Sequence, residues 1–130
     1  MTRLLSLALA AGLMAGQASA DGAVPVPLPT IPAMSVGAGE HLLMQLVVAN
    51  LVSENCPAYQ ATDAEWSLLA GSADLVAERL GLGVDDYDNR FYRRAFGMLD
   101  KPDTCDREGP RIRPLINRLI AWGGSLEPLN

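Results

Sequence analysis

The chain has 130 residues, 49% of them hydrophobic, and a formal net charge of −5 at pH 7. This length suits one domain and is short for two. A moderately acidic chain is poorly suited to the phosphate backbone of nucleic acid, so we expect no nucleic-acid binding.

The first twenty residues have the pattern of a secretory signal peptide. Arg3 supplies a positive start, residues 4–14 form an uncharged apolar run, and Ala18 and Ala20 are small residues at the positions that a signal peptidase reads. We expect cleavage after Ala20 and no stable membrane span afterwards. An uncleaved anchor is the alternative, but the apolar run is shorter than the roughly 20 residues needed to cross a bilayer.

The remaining composition indicates a bacterial source. Lys101 is the only lysine among ten basic residues, and Ala, Gly and Leu are abundant. This usage is typical of GC-rich bacteria, so we predict a periplasmic or secreted bacterial protein.

Only two cysteines are present, Cys56 and Cys105. In an oxidising compartment two cysteines of one small domain usually form a disulfide. A metal site would need more ligands than His41 can add, a catalytic thiol would need a base, and a redox pair would need C-x-x-C spacing. We therefore predict a Cys56–Cys105 disulfide; a free or intermolecular thiol is the alternative.

Residues 21–37 form a proline-rich arm, with prolines at 25, 27, 29 and 32. Proline removes backbone donors and favours an extended backbone, so we expect a flexible tether. Helix 1 is predicted over residues 39–55. It is apolar almost all round, which is typical of a central helix, with Gln45, Ala49 and Ser53 as its mild polar strip.

Helix 2 begins with the capping box Thr62-x-x-Glu65 and ends at Gly81 and Gly83. Its main apolar face includes Trp66 and Leu69. A second row, Leu68, Leu75 and Leu82, lies on the opposite side. Either helix 1 covers this row, or Leu68 and Leu75 form a partner-binding surface.

Helix 3 is predicted over residues 85–99, with Asp86 and Arg90 spaced to pair. Arg90 and Arg93 lie opposite its apolar face and form a second candidate partner-binding surface. Helix 4 follows Pro110 and ends at Gly123, with an apolar stripe that includes Leu115 and Leu119.

These elements predict an all-α fold, a small four-helix bundle with one disulfide. The expected divisions are a signal peptide at 1–20, a flexible arm at 21–37, a helical domain at 38–124 and a tail at 125–130. We expect Trp66, Phe91, Leu115 and Leu119 in the core.

Charge is unevenly distributed along the chain. Residues 21–88 hold ten acidic residues and one basic residue, whereas residues 89–130 hold eight basic and five acidic residues. Electrostatic attraction between the two halves of one domain would explain this uneven charge distribution. A bipolar surface that orients a partner would also explain it.

An apolar helix ending at Asn55-Cys56, the Leu80-Gly81 turn and a second cysteine at 105 resemble small secreted helical proteins of alphaproteobacteria with no assigned function. The resemblance implies a disulfide-bonded helical fold and no activity. Periplasmic acid-stress chaperones, and helical immunity proteins against secreted amidases, share only the broad plan, since their cysteine motifs are missing here.

One histidine, and no phosphate loop or nucleophile motif, argue against an enzyme, and no cofactor or metal is predicted. We predict a non-enzymatic binding or accessory protein with a protein partner in the cell envelope. The alternatives are a periplasmic immunity or inhibitor protein and an acid-activated chaperone. The sequence identifies neither the partner nor the number of subunits.

Overall fold

The computed structural model describes residues 24–130, so the signal-peptide prediction lies outside the described residues. In this part of the chain every regular element is helical, which confirms the predicted all-α class. Predicted helix 3 is observed as two short α-helices joined without a break by a π-helical segment. The elements in chain order are α1 (Val36–Asn55), a 3₁₀ turn (Pro57–Tyr59), α2 (Asp63–Arg79), α3 (Val84–Tyr87), the π segment (Asp88–Tyr92), α4 (Arg93–Leu99), α5 (Thr104–Glu108), a second 3₁₀ turn (Gly109–Arg111) and α6 (Ile112–Ala121).

Helix α1 is the centre of the bundle. It begins earlier than predicted because the Ser35 hydroxyl accepts the backbone N–H of Ala38 at 3.2 Å and caps the helix there. Leu43, Leu46 and Val47 have no exposed surface. By length and composition α1 could cross a membrane, but 61% of its most apolar window is buried inside this domain. Its apolar character therefore matches its central position.

Helix α2 begins and ends as its sequence signals predict. Thr62 and Glu65 form both hydrogen bonds of the capping box. At the other end Gly81 has a φ of 69°, and the N–H of Leu82 donates to the carbonyl of Ala77. This left-handed ending closes the last turn of α2 and reverses the chain towards α3.

The π segment changes the ion pairs of predicted helix 3. Arg93 pairs with Asp88, five residues earlier, at 3.3 Å, a spacing that a π-helical turn brings together. Arg90 does not pair with Asp86 as predicted. Its guanidinium instead lies 3.1 Å from the carboxylate of Glu40 on α1, so a contact between helices replaces the predicted local one.

The predicted disulfide is present and joins the end of α1 to α5. Cys56 and Cys105 are bonded, with their Cα atoms 5.6 Å apart and a sequence separation of 49. Cys56 is buried, so the bond lies against the core. It fixes the short α5 beside α1 and so sets where the chain enters α6.

The proline-rich arm is not the flexible tether that its composition predicts. Val26 and Ile31 are buried in the core. Arg79 of α2 donates to the carbonyls of Ile31 and Pro32, at 2.7 and 2.8 Å. From residue 24 onwards the arm is therefore part of the folded domain.

The arm is also paired with the predicted tail. The N–H groups of Ser125 and Leu129 donate to the carbonyls of Pro27 and Pro25, at 3.1 and 2.8 Å. Proline lacks a donor but keeps its acceptor, so an extended proline-rich strand can be bound through its carbonyls. The predicted boundaries at 37 and 125 therefore do not separate the arm and tail from the domain.

Three of the four predicted core residues are confirmed, since Phe91, Leu115 and Leu119 are buried. Trp66 is only partly buried. Its indole N–H donates to Glu54 at the surface. A side chain with this polar group can cover the core while its edge stays close to water.

We expect replacement of both Cys56 and Cys105 by Ser to lower the free energy of unfolding by about 2–4 kcal/mol, because the unfolded chain loses a long closed loop. Urea titration followed by circular dichroism measures the change, and the native helical signal should be retained. Two thiols open to alkylation in natively purified protein would contradict the disulfide.

Ile31→Ala tests whether the arm belongs to the domain. Removing a buried side chain of this size should cost about 2–5 kcal/mol of unfolding free energy. Val36→Ala is the control, because Val36 is 68% exposed and its loss should change stability by less than about 0.5 kcal/mol. Equal melting of the two variants would show that the arm does not stabilise the fold in solution.

Candidate functional site

The leucine row of α2 is not available to a partner. Leu68 is fully buried and Leu75 is partly buried against the core. A side chain added at Gly124 would come within 2.8 Å of Leu68, so the backbone after α6 lies directly on this face. The prediction that Leu68 and Leu75 bind a partner is therefore wrong, and the row belongs to the core.

The proline-rich arm also packs on this side of α2. The Leu28 side chain would lie 2.7 Å from a Cβ placed on Gly71, so the two elements are in close contact there. Helix 1 was the cover proposed from the sequence. The arm and the segment after α6 have no helical pattern in their sequence that would mark them as packing elements.

The second candidate surface is divided by the structure. Arg90 faces α1, where it pairs with Glu40 and lies 5.5 Å from the centre of the Phe91 ring. Arg93 faces outward, with its side chain 73% exposed, and pairs with Asp88. The two arginines therefore do not form one contact patch, and Arg90 is the one that borders a concave surface.

That concave surface, the upper hollow, lies between the start of α1 and the π segment. It has a volume of about 540 Å³. Helix α1 contributes one wall, and the π segment with the first turn of α4 contributes the other. The lining residues are Gly37, Glu40, His41, Met44, Asn89, Arg90, Phe91 and Arg94.

A second concave surface, the lower hollow, lies further along α1. It has a volume of about 450 Å³ and is closed on its other side by α5, the 3₁₀ turn after it and α6. The residues of α1 in both hollows are spaced by three or four, so they share one face of that helix. The lining residues are Gln45, Val48, Ala49, Arg107, Glu108, Pro110, Arg111, Pro114, Leu115 and Arg118.

Ion pairs connect the acidic and basic halves of the chain. Arg90 meets Glu40, and Arg113 meets the capping-box residue Glu65 at 2.7 Å. These two contacts support the interpretation that the halves attract each other within the domain. They do not balance every arginine: within residues 24–130, Arg94 and Arg118 form no ion pair, and each lines one of the hollows.

Tyr87 fixes the start of the π segment against α2. Burial raises its pKa above the ordinary value of a tyrosine, and the neighbouring Tyr92 and Asp74 raise it further. The phenol therefore stays protonated, and its hydroxyl donates to Asp74 at 3.4 Å. This contact helps to hold the wall of the upper hollow that carries Arg90 in place.

The groups that usually perform catalysis are few in the described residues. Both cysteines are consumed in the disulfide, and His41, the only histidine of the chain, is exposed at the edge of the upper hollow. Between residues 24 and 130, no group of three or more His, Cys, Asp or Glu residues is placed to hold a metal ion. The chemistry that the two hollows offer is that of arginine guanidinium groups beside apolar walls.

No protein-family model, curated protein or solved structure matches the chain. The resemblance to small secreted alphaproteobacterial proteins therefore stays a prediction. The site must be interpreted from its own residues.

Sequence reasoning missed both hollows as sites. One signal was present, because Gln45 is a polar residue in the middle of an apolar helix and lies on the side of α1 that lines the lower hollow.

We expect Leu68→Glu to unfold the protein, because a carboxylate would be placed in a fully buried position. Thermal melting followed by circular dichroism measures this. Leu129→Glu is the control, since Leu129 is 55% exposed in the tail and its replacement should leave melting nearly unchanged. A folded Leu68→Glu protein would return the leucine row to consideration as a surface.

Proposed function

We propose that the protein is a non-enzymatic accessory protein of the bacterial cell envelope that binds another protein through the upper hollow. The disulfide is compatible with an oxidising compartment outside the cytoplasm. The signal-peptide pattern of the first twenty residues supports a periplasmic or secreted location.

The observation that carries this proposal is the π segment at the edge of the upper hollow. π-helical turns are rare and frequently occur at functional sites, because they interrupt the regular hydrogen bonding of a helix. Here the segment holds Phe91 in the core and presents Arg90 on the adjacent edge. The irregular turn thus places an arginine beside α1.

Charge indicates the kind of partner surface that fits. Arg94 has no carboxylate partner within residues 24–130, and Arg90 shares its charge with a half-exposed Glu40. Met44, which is partly buried, supplies apolar surface beside these charges, and Phe91 lies beneath in the core. We propose that the partner presents an acidic side chain next to an apolar one, since arginine is favoured at interfaces and pairs well with carboxylates.

The non-enzymatic part of the proposal is supported by the residue types at the hollow. His41 is the one imidazole there, and the residues that line the hollow with it include no hydroxyl or thiol that it could activate. An inhibitor or immunity protein is one form that a binding protein can take, and the identity of the captured partner distinguishes it.

Site-specific photo-cross-linking tests the surface. A benzoylphenylalanine at position 94 should form one dominant cross-link in envelope preparations, and the same residue at position 101 should not. Lys101 is an exposed basic residue outside the upper hollow, so it is a matched position. The partner is then identified by mass spectrometry and purified.

Affinity measurements with the purified partner complete the test. Arg94→Glu should weaken binding at least tenfold, and the loss should shrink at high salt because the contact is electrostatic. Lys101→Glu should change affinity less than twofold. The proposal fails if both positions cross-link equally or if both substitutions weaken binding to the same extent.

A further inference from the structure

The lower hollow has the dimensions and walls of a small-molecule site. Its volume of about 450 Å³ falls within the range of roughly 300–1,000 Å³ typical of ligand pockets. Val48, Ala49 and Leu115 form apolar wall, and each is held in place by the core. Such a surface is suited to an aliphatic chain and is already formed without a ligand.

The charges around the lower hollow are almost balanced by one carboxylate cluster. Glu108 has a side chain that is only 12% exposed, and it lies 3.2 Å from Arg107 and 3.7 Å from Arg111. Arg107 is also paired with Asp103 at 2.9 Å. Two of the three arginines therefore have carboxylate partners within the fold.

Arg118 is the exception. It forms no ion pair within residues 24–130, and its guanidinium lies 5.8 Å from the centre of the Trp122 ring. A cation held over an indole keeps its position and remains able to donate hydrogen bonds at its edge. The lower hollow thus has one positioned, unbalanced positive charge next to an apolar wall.

Gln45 adds a polar group on the α1 side. Its carboxamide oxygen is buried and has no hydrogen-bond partner in the described part of the chain. Because this oxygen is an acceptor, a donor such as water can satisfy it and a carboxylate cannot. The carboxamide also carries N–H donors that suit an anionic oxygen.

We infer that the lower hollow binds an amphiphilic monoanion, an aliphatic carboxylate of medium chain length. The chain lies along Val48, Ala49 and Leu115, and the carboxylate is bound by Arg118. One unbalanced positive charge matches one negative charge, and the apolar wall makes the chain necessary for binding. This site does not rest on the proposed function, because it uses different residues from the upper hollow.

Calorimetric titration of the full-length mature protein with decanoate, below its micelle concentration, tests the inference. We expect saturable binding of one decanoate per chain. Acetate, which has the head group without the chain, should not compete. Decyltrimethylammonium, which has the chain with the opposite charge, should not bind. Binding of all three probes alike would overturn the inference.

Two variants assign the site. Arg118→Gln should weaken decanoate binding at least tenfold with only a small change in melting, because Arg118 forms no ion pair within residues 24–130 and loses only its contact with the ring of the partly buried Trp122. Arg94→Gln, at the upper hollow, is the matched control and should stay within twofold. Equal affinity of the two variants for decanoate would overturn the assignment.

A third measurement examines the apolar wall. Ala49→Phe fills the hollow beside an intact Arg118 and should abolish binding. If this variant does not fold, the series acetate, hexanoate and decanoate replaces it, and affinity should rise with each step in chain length. Affinity that is independent of chain length, or binding of a peptide with a free carboxyl terminus but not of decanoate, would overturn the inference. Partner cross-linking at position 94 is unaffected by any of these outcomes.

Discussion

The burial of α1 determines the arrangement of every other element. A twenty-residue helix that is apolar almost all round must be covered on nearly every side, and a chain of this size has few helices with which to do so. Helix α2 packs along it, the π segment and α4 contact it, and the disulfide fixes α5 beside its end. The need to bury the apolar surface of α1 therefore determines how the domain is organised.

The cover is incomplete along one strip, and both hollows lie there. The π segment with α4 forms one concave surface against α1, and α5 with α6 forms another, each with arginines on its edge. The sites proposed above are therefore gaps between packing units. They are held by rigid core residues, which is the arrangement that keeps a binding surface in place without a ligand.

Local sequence signals predicted most of the helices. They failed where contacts between residues far apart in sequence determine the structure. The capping box at Thr62, the glycine at 81 and the paired cysteines specify their structures through short-range geometry or through compartment chemistry. Four helices and the disulfide could be predicted on that basis. The helix periods also placed Phe91, Leu115 and Leu119 in the core.

Residues whose position depends on non-local contacts could not be placed in the same way. The prolines of the arm indicate an extended backbone, but nothing in them shows that N–H donors of the tail will bind their carbonyls. Arg90 has two suitable carboxylates, and only the fold selects Glu40 over Asp86. The lower hollow requires Gln45 and Arg118, which are far apart in sequence, so no local pattern could have joined them.

The pairing of the arm with the tail has a consequence for the order of assembly. A ribosome makes the arm before the tail, and the donors for Pro25 and Pro27 are on Leu129 and Ser125. The carbonyls of Pro25 and Pro27 therefore stay without these partners until residues 125–129 have been made, although the arm can already contact Ser67 and Arg79. If the chain crosses a membrane from its amino terminus, the same delay applies during transport, and the arm is paired with the tail only after residues 125–129 have arrived.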